Sequence, residues 1–275
     1  MNMAHYGNLI VMMQRITLCI VFLFFIAFSF NLSGMQLRED SGMLKPATQK
    51  LLALFDVSED EVEQQWLQAR KERWEMHCSL ENKLEIALPT LKEIGCVDAV
   101  HAPLEHYDYA LVLGAIGPVM QLRLDYLYEE WKRGVRFDQI VLLSGRRDLD
   151  PKMEMIPEGA QFETDLFLHL FDRHPLKNLA SHLVIDSPKQ QLEDGTWRRP
   201  TTQSTIEEWL KTSPTPGKCL AASSQPFVGY QEAVIKSILP STFDVDGVGS
   251  EITYPYSLAI YLDNIAKWLY YEDKR

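Results

Sequence analysis

The strongest constraint on this chain lies in the stretch after Asp108, which runs to Pro151 and reads YALVLGAIGPVMQLRLDYLYEEWKRGVRFDQIVLLSGRRDLDP. Two short apolar runs, Tyr109–Leu113 and Ile140–Leu143, each end in a small-residue turn, Gly114-Ala115 and Ser144-Gly145. Between them Leu122, Leu124, Leu127, Tyr128 and Trp131 recur mostly at three- and four-residue steps, the spacing of a helix with one buried face. Strand, helix and strand with short joints make a βαβ unit, so the strands run parallel and the crossover is right-handed. Ligands of such sheets bind beyond the carboxyl ends of the strands, where both turns lie.

The alternation continues downstream. Glu163–Phe171 reads as an apolar helix, Leu183–Ile185 as a strand, Thr202–Leu210 as a helix capped by Thr202 or Ser204, and Lys218–Ala222 as a strand. Tyr230–Ile238, Phe243–Val248 and Tyr256–Tyr270 follow as helix, strand and amphipathic helix. Upstream, Pro46 opens a helix, and Ser58 caps a second one running from Glu59 towards Met76, with Trp66, Ala69, Arg70 and Trp74 along one side. Glu81–Ile94 is helical with Pro89 breaking or kinking it. This leading part is expected to cover the sheet; a lid or a dimerising arm is the alternative. The fold class is α/β: a Rossmann-like layered parallel sheet with helices on both faces, preceded by an N-terminal hydrophobic helix and a short helical segment. The expected divisions are 1–34, 35–98 and 99–275.

The first division is set by Ile16–Leu32, which carries no charge and directly follows Arg15. Its seventeen residues span about 25 Å as a helix, slightly short of a hydrocarbon core of about 30 Å. It reads as a cleaved signal peptide or as a short membrane anchor, and no A-x-A site decides between them. Either way the globule is exported, and Met35–Lys45 reads as a tether. A formal charge of -11 argues against nucleic acid as a partner. Of the four cysteines, Cys19 lies in the apolar run, and Cys78, Cys96 and Cys219 have no metal-site spacing. They read as small buried hydrophobes, with a Cys78–Cys96 bridge as the alternative.

No cofactor is named by the motifs. The turn at Gly114 lacks G-x-G-x-x-G, because Gly117 comes three residues later and Pro118 follows. Ser144 lacks the esterase elbow. Arg146 and Arg147, beside the Ser144-Gly145 backbone, suit a phosphate or carboxylate; the plainer reading is a solvated pair bridging to Asp148 and Asp150. Arg198, Arg199 and Thr205 mark a second basic, hydroxyl-rich joint at a helix N-terminus. Ser223, Ser224 and Gln225 add uncharged hydrogen-bonding groups on the same rim. Glu163, Asp165, Glu207 and Glu232 are the acidic candidates, and no metal-ligand spacing connects them.

The order of these motifs resembles the SanA, ElyC and YdcF type of bacterial envelope proteins, a domain-of-unknown-function family with a Rossmann-like fold. The resemblance covers about half of the chain, from Asp108 to Leu239. It rests on Val112-Leu113-Gly114, Arg123-Leu124, Gly134, Leu143-Ser144-Gly145, Glu163, Thr202 to Glu208 and Ala222-Ser223-Ser224. Glu208 stands where the family has Asn, the family His near Phe227 is absent, and Tyr230, Gln231 or Glu232 replace an Arg. The resemblance implies an envelope protein whose globule lies on the periplasmic side, or is secreted if the leader is cut. The expected function is binding of an anionic small molecule or envelope precursor at the rim, with the reaction open. Arg123 and Glu163 would position loops, while Gly114, Ser144, Gly145, Arg146, Arg199, Thr205, Ser223, Ser224 and Gln225 form the ligand wall. Glu207, with Glu163, is the acid/base candidate. A non-catalytic envelope interaction module and a Ser-dependent hydrolase are the alternatives.

Overall fold

The computed structural model describes residues 35–68, 75–253 and 256–274. The apolar run Ile16–Leu32 and the helix residues Ala69, Arg70 and Trp74 lie outside these ranges. Among the described residues, no helix is long and apolar enough to cross a membrane.

Five parallel strands form the central sheet: β1 (His106–Leu113), β2 (Arg136–Gly145), β3 (Ser181–Ser187), β6 (Lys218–Ser224) and β7 (Asp244–Ser250). Their order is β3-β2-β1-β6-β7. Helix α4 (Gly117–Lys132) joins β1 to β2, and α5 (Glu163–Phe171) joins β2 to β3. Helix α6 (Thr202–Leu210) leads to β6, and α7 (Val228–Ile238) joins β6 to β7. Alternate residues serve opposite faces. Ala110, Val112, Ile140 and Leu142 pack with Met120, Leu124 and Phe167 of α4 and α5. Leu111, Leu113, Val141 and Leu143 pack with Ile206, Trp209 and Ile235 of α6 and α7. Both faces are dry, so the strands read as unbroken apolar runs rather than alternating ones.

The leading part covers a helix, not the sheet. Helices α1 (Pro46–Phe55), α2 (Val62–Trp66) and α3 (Leu84–Ile94) bury Leu51, Phe55, Trp66 and Leu91 against Tyr261, Ile265 and Trp268 of α8 (Leu258–Glu272). The expected tether is also built in: Leu37 and Leu44 belong to that core, and Arg38 bridges to Leu44. The described residues form one compact unit. Helix α2 ends at Trp66, short of Met76, because Leu67 turns extended and the Gln68 N–H donates to Asp263 Oδ1 at 2.9 Å. Pro89 sits inside α3 without ending it. It lies on the solvent side with Glu85, whose carbonyl would have been its partner, so the lost bond meets water. Cys78, Cys96 and Cys219 are free thiols, with Cys96 and Cys219 buried. Burial pushes both of the latter up to about 12, so they are unreactive hydrophobes.

Candidate functional site

Strands β1 and β6 are neighbours whose following helices, α4 and α7, go to opposite faces. That is the switch point at which open α/β sheets hold ligands. A cleft of about 1190 Å³ lies over the carboxyl ends of β1 and β2 and reaches across to α7. Gly114, Leu143, Arg147, Glu163, Arg199 and Thr205 form its sheet side, and Gln231 and Asn264 line its far end.

A buried arginine, a half-buried one and two buried carboxylates build the floor. Arg123, fully buried on α4, donates from Nη1 to the Leu113 and Gly114 carbonyls at 2.7 and 2.9 Å, which caps the end of β1. Arg147 donates Nε to Glu163 Oε2 at 2.8 Å and both Nη groups to Glu154, at 2.8 and 3.2 Å. Glu154 also accepts the Gly117 and Asp150 N–H groups, at 2.8 and 3.1 Å. A carboxylate of the chain itself thus occupies the first turn of α4, where a ligand anion would otherwise bind. Glu163 Oε1 accepts from Ser144 Oγ at 3.2 Å. A Cβ on Gly114 would fall 2.1 Å from that same oxygen, so the glycine is what lets the carboxyl reach the β1 turn.

These partners split the two acids. Burial alone would raise Glu154, yet Arg147 and the two N–H groups hold it below the usual carboxylate range. Burial dominates at Glu163 and pushes it above that range, with Arg147, Ser144 and Arg123 only partly offsetting the rise. Burial also works against the Arg147 charge, but its two carboxylates hold its proton more tightly than usual. Of the two floor acids, Glu163 is therefore the one that holds its proton more readily than an ordinary carboxyl group, as an acid/base group must.

The opposite lip is basic. After β3 the chain makes a small hairpin, β4 (Gln190–Gln191) and β5 (Trp197–Arg198), and returns through Arg199-Pro200. A Cβ on Gly145 would lie 2.6 Å from the Pro200 ring, so this return presses onto the end of β2. Thr201 then caps α6: its side chain accepts the Ser204 N–H, and Ser204 Oγ accepts the Thr201 N–H at 2.9 Å. The cap is Thr201, not Thr202 or Ser204, because Ser204 occupies the third helical position. Among the described residues, the Thr202 and Gln203 N–H groups donate to nothing in the fold, as expected of a first helical turn. Both residues line the cleft with Lys189, Arg198 and Arg199.

Of the residues expected at the site, the cleft wall brings together Gly114, Glu163, Arg199 and Thr205. Arg146 faces outward and donates Nε to Asp186 Oδ2 at 3.0 Å. Neither arginine forms a side-chain ion pair with Asp148 or Asp150; the partners are Asp186, Glu154 and Glu163, each reached through tertiary packing. Ser144 is fully buried and bonded to Glu163 and Thr164, and among the described residues no histidine is hydrogen-bonded to it. Gly145, Ser223, Ser224 and Gln225 lie behind the wall: Ser223 Oγ donates to Gln231 Oε1, and Gln225 Nε2 staples the Gly95 and Asp98 carbonyls at 2.7 and 2.8 Å. Glu207 accepts from Gln203 Nε2 at 2.8 Å and stands off the wall. Asp165 caps α5 through the Gln161 and Phe162 N–H groups, and Glu232 bonds the Gly247 N–H beneath α7. Among the described residues no cluster of acids, His or Cys could hold a metal ion. Glu154, Lys189, Trp197 and Gln231 join the site without a sequence signal, except that Asp194-Gly195 marks the hairpin turn.

No family model, curated protein or solved structure matches this chain.

Proposed function

We propose that this chain is an exported or membrane-anchored envelope protein that binds an anionic small molecule, or an envelope precursor bearing one, in the cleft over the carboxyl ends of β1 and β2. One observation carries the reading: Arg198, Arg199 and the unengaged α6 N–H groups share one cleft, with Lys189 bridged to Asp148 beside them, while Glu154 already fills the anion position on α4. The ligand charge then belongs on the α6 lip. Arg123, Ser144 and Arg147 hold that floor in shape. If the ligand is turned over, Glu163 is the acid/base group. The apolar run Ile16–Leu32 supports the placement in the envelope, in keeping with the family resemblance.

The test is calorimetric titration of the full-length chain with inorganic pyrophosphate. A charge-assisted hydrogen bond contributes about 1.5–3 kcal/mol, so Arg199→Ala weakens binding at least about tenfold. Absence of binding, or binding indifferent to Arg199, overturns the reading. A second reading, an interaction module without a ligand, draws on the exposed Ile86 and Leu88 of α3. It gains if Arg199→Ala leaves the biological effect intact while charges placed at Ile86 and Leu88 abolish it.

A further inference from the structure

Trp197 has no role in holding the fold together. Trp209 and Trp268 are fully buried, Trp66 is 3% exposed, and Trp131 packs on Phe137 and under Arg136. Trp197 is 63% exposed on a two-stranded hairpin, and among the described residues no ring or cation packs on its face. A single exposed apolar side chain is ordinary on a protein surface, but at the wall of a cleft an indole offers a ligand a large flat apolar face. This one lines the cleft beside Arg198 and Arg199, one turn of chain from the α6 N–H groups.

The pairing of a bare indole with a basic lip specifies a ligand with two parts. An inorganic anion would meet the basic lip and the helix terminus but leave the indole wet. A flexible acyl chain would cover the indole, but it lacks the flat face that an indole selects by stacking. We infer that Trp197 is a ligand-contacting residue and that the ligand is a nucleoside diphosphate, its base stacked on Trp197 and its diphosphate held by Arg198, Arg199 and the first turn of α6. This rests on the anion-binding reading above and narrows its substrate class. Arg199 and Trp197 are only two residues apart, which suits a diphosphate joined to a base through one ribose. Stacking tolerates any base, so uridine and adenosine diphosphates both bind.

The experiment titrates the full-length chain with uridine diphosphate, adenosine diphosphate, inorganic pyrophosphate and glucose 1-phosphate. Both nucleotides should bind about tenfold more tightly than pyrophosphate, the gain expected from one stacked base. Trp197→Ala should erase that advantage and leave pyrophosphate affinity within twofold, while Trp197→Phe retains most of it. The hairpin is exposed, so neither variant should shift the melting temperature, which is checked alongside. Nucleotides no tighter than pyrophosphate, a Trp197→Ala variant that keeps the advantage, or glucose 1-phosphate gaining as much as the nucleotides each overturn the inference. If pyrophosphate binding depends on Arg199 while nucleotides gain nothing, this inference falls and the anion site stands. If nothing binds, both fall.

Discussion

Replacing Arg147 by Ala removes a side chain that bonds both floor carboxylates at once. Glu154 has no solvent exposure and Glu163 has 12%, so each would be left in a dry environment without that countercharge. Breaking one partner of a buried pair costs about 3–5 kcal/mol. The Gly117 and Asp150 N–H groups still hold Glu154, and Arg123 still stands near Glu163, which places the cost at about 3 kcal/mol at neutral pH. The pH dependence follows from the two shifts. Glu154 sits below its unfolded value, so its contribution is present above about pH 4.3 and lost as pH falls through its lower folded value. Glu163 sits above its unfolded value, so its contribution is present in acid and lost as pH rises through the higher folded value. Without Arg147 the first shift shrinks and the second grows, so the variant is penalised most where both acids would be charged. Urea unfolding at about pH 7 and about pH 4.5 should therefore show a gap from the parent that narrows in acid. Adding Glu154→Gln to Arg147→Ala should recover part of the neutral-pH loss. A gap below about 1 kcal/mol, or one unchanged with pH, refutes the linked floor.

Three further outcomes follow from single contacts. Gly114→Ala drives a methyl towards Glu163 Oε1 at 2.1 Å and the Leu143 carbonyl at 2.9 Å, and should cost about 1–3 kcal/mol in denaturant unfolding. Thr201→Ala removes the α6 cap and should cost about 0.5–2 kcal/mol, with faster amide exchange at Ser204. Gln225→Ala frees the Gly95 and Asp98 carbonyls, costing about 1–3 kcal/mol and raising exchange around Cys96 without touching pyrophosphate affinity.

The sheet was legible because buried parallel strands leave a signature of short apolar runs closed by small residues, as at Leu113-Gly114 and Leu143-Ser144. The helices were legible by their spacing. The cleft beyond the strand ends was legible in place, but its lining only in part. Arg146 and Arg147 are adjacent and chemically alike; which one turns inward depends on how the chain leaves β2, and that is not encoded in the pair. Glu154 lies in a stretch without periodicity and acts only because the loop between β2 and α5 folds back onto α4. Leu37 and Leu44 sit among polar neighbours, so a segment-level average reads Met35–Lys45 as a tether although both leucines are anchored in the core. Ser223 and Gln225 fall at the carboxyl end of β6, but the bond to Gln231 and the Gly95–Asp98 staple hold them behind the wall.

The most direct test is a backbone-amide NMR titration of the labelled full-length chain with inorganic pyrophosphate. Saturable shifts at Thr202, Gln203 and Arg199, with the Gly117 amide unmoved because Glu154 keeps its bond, are the predicted result. A response at Gly117 without one at Thr202 and Gln203, or no saturable response at all, would contradict an anion site on the α6 lip.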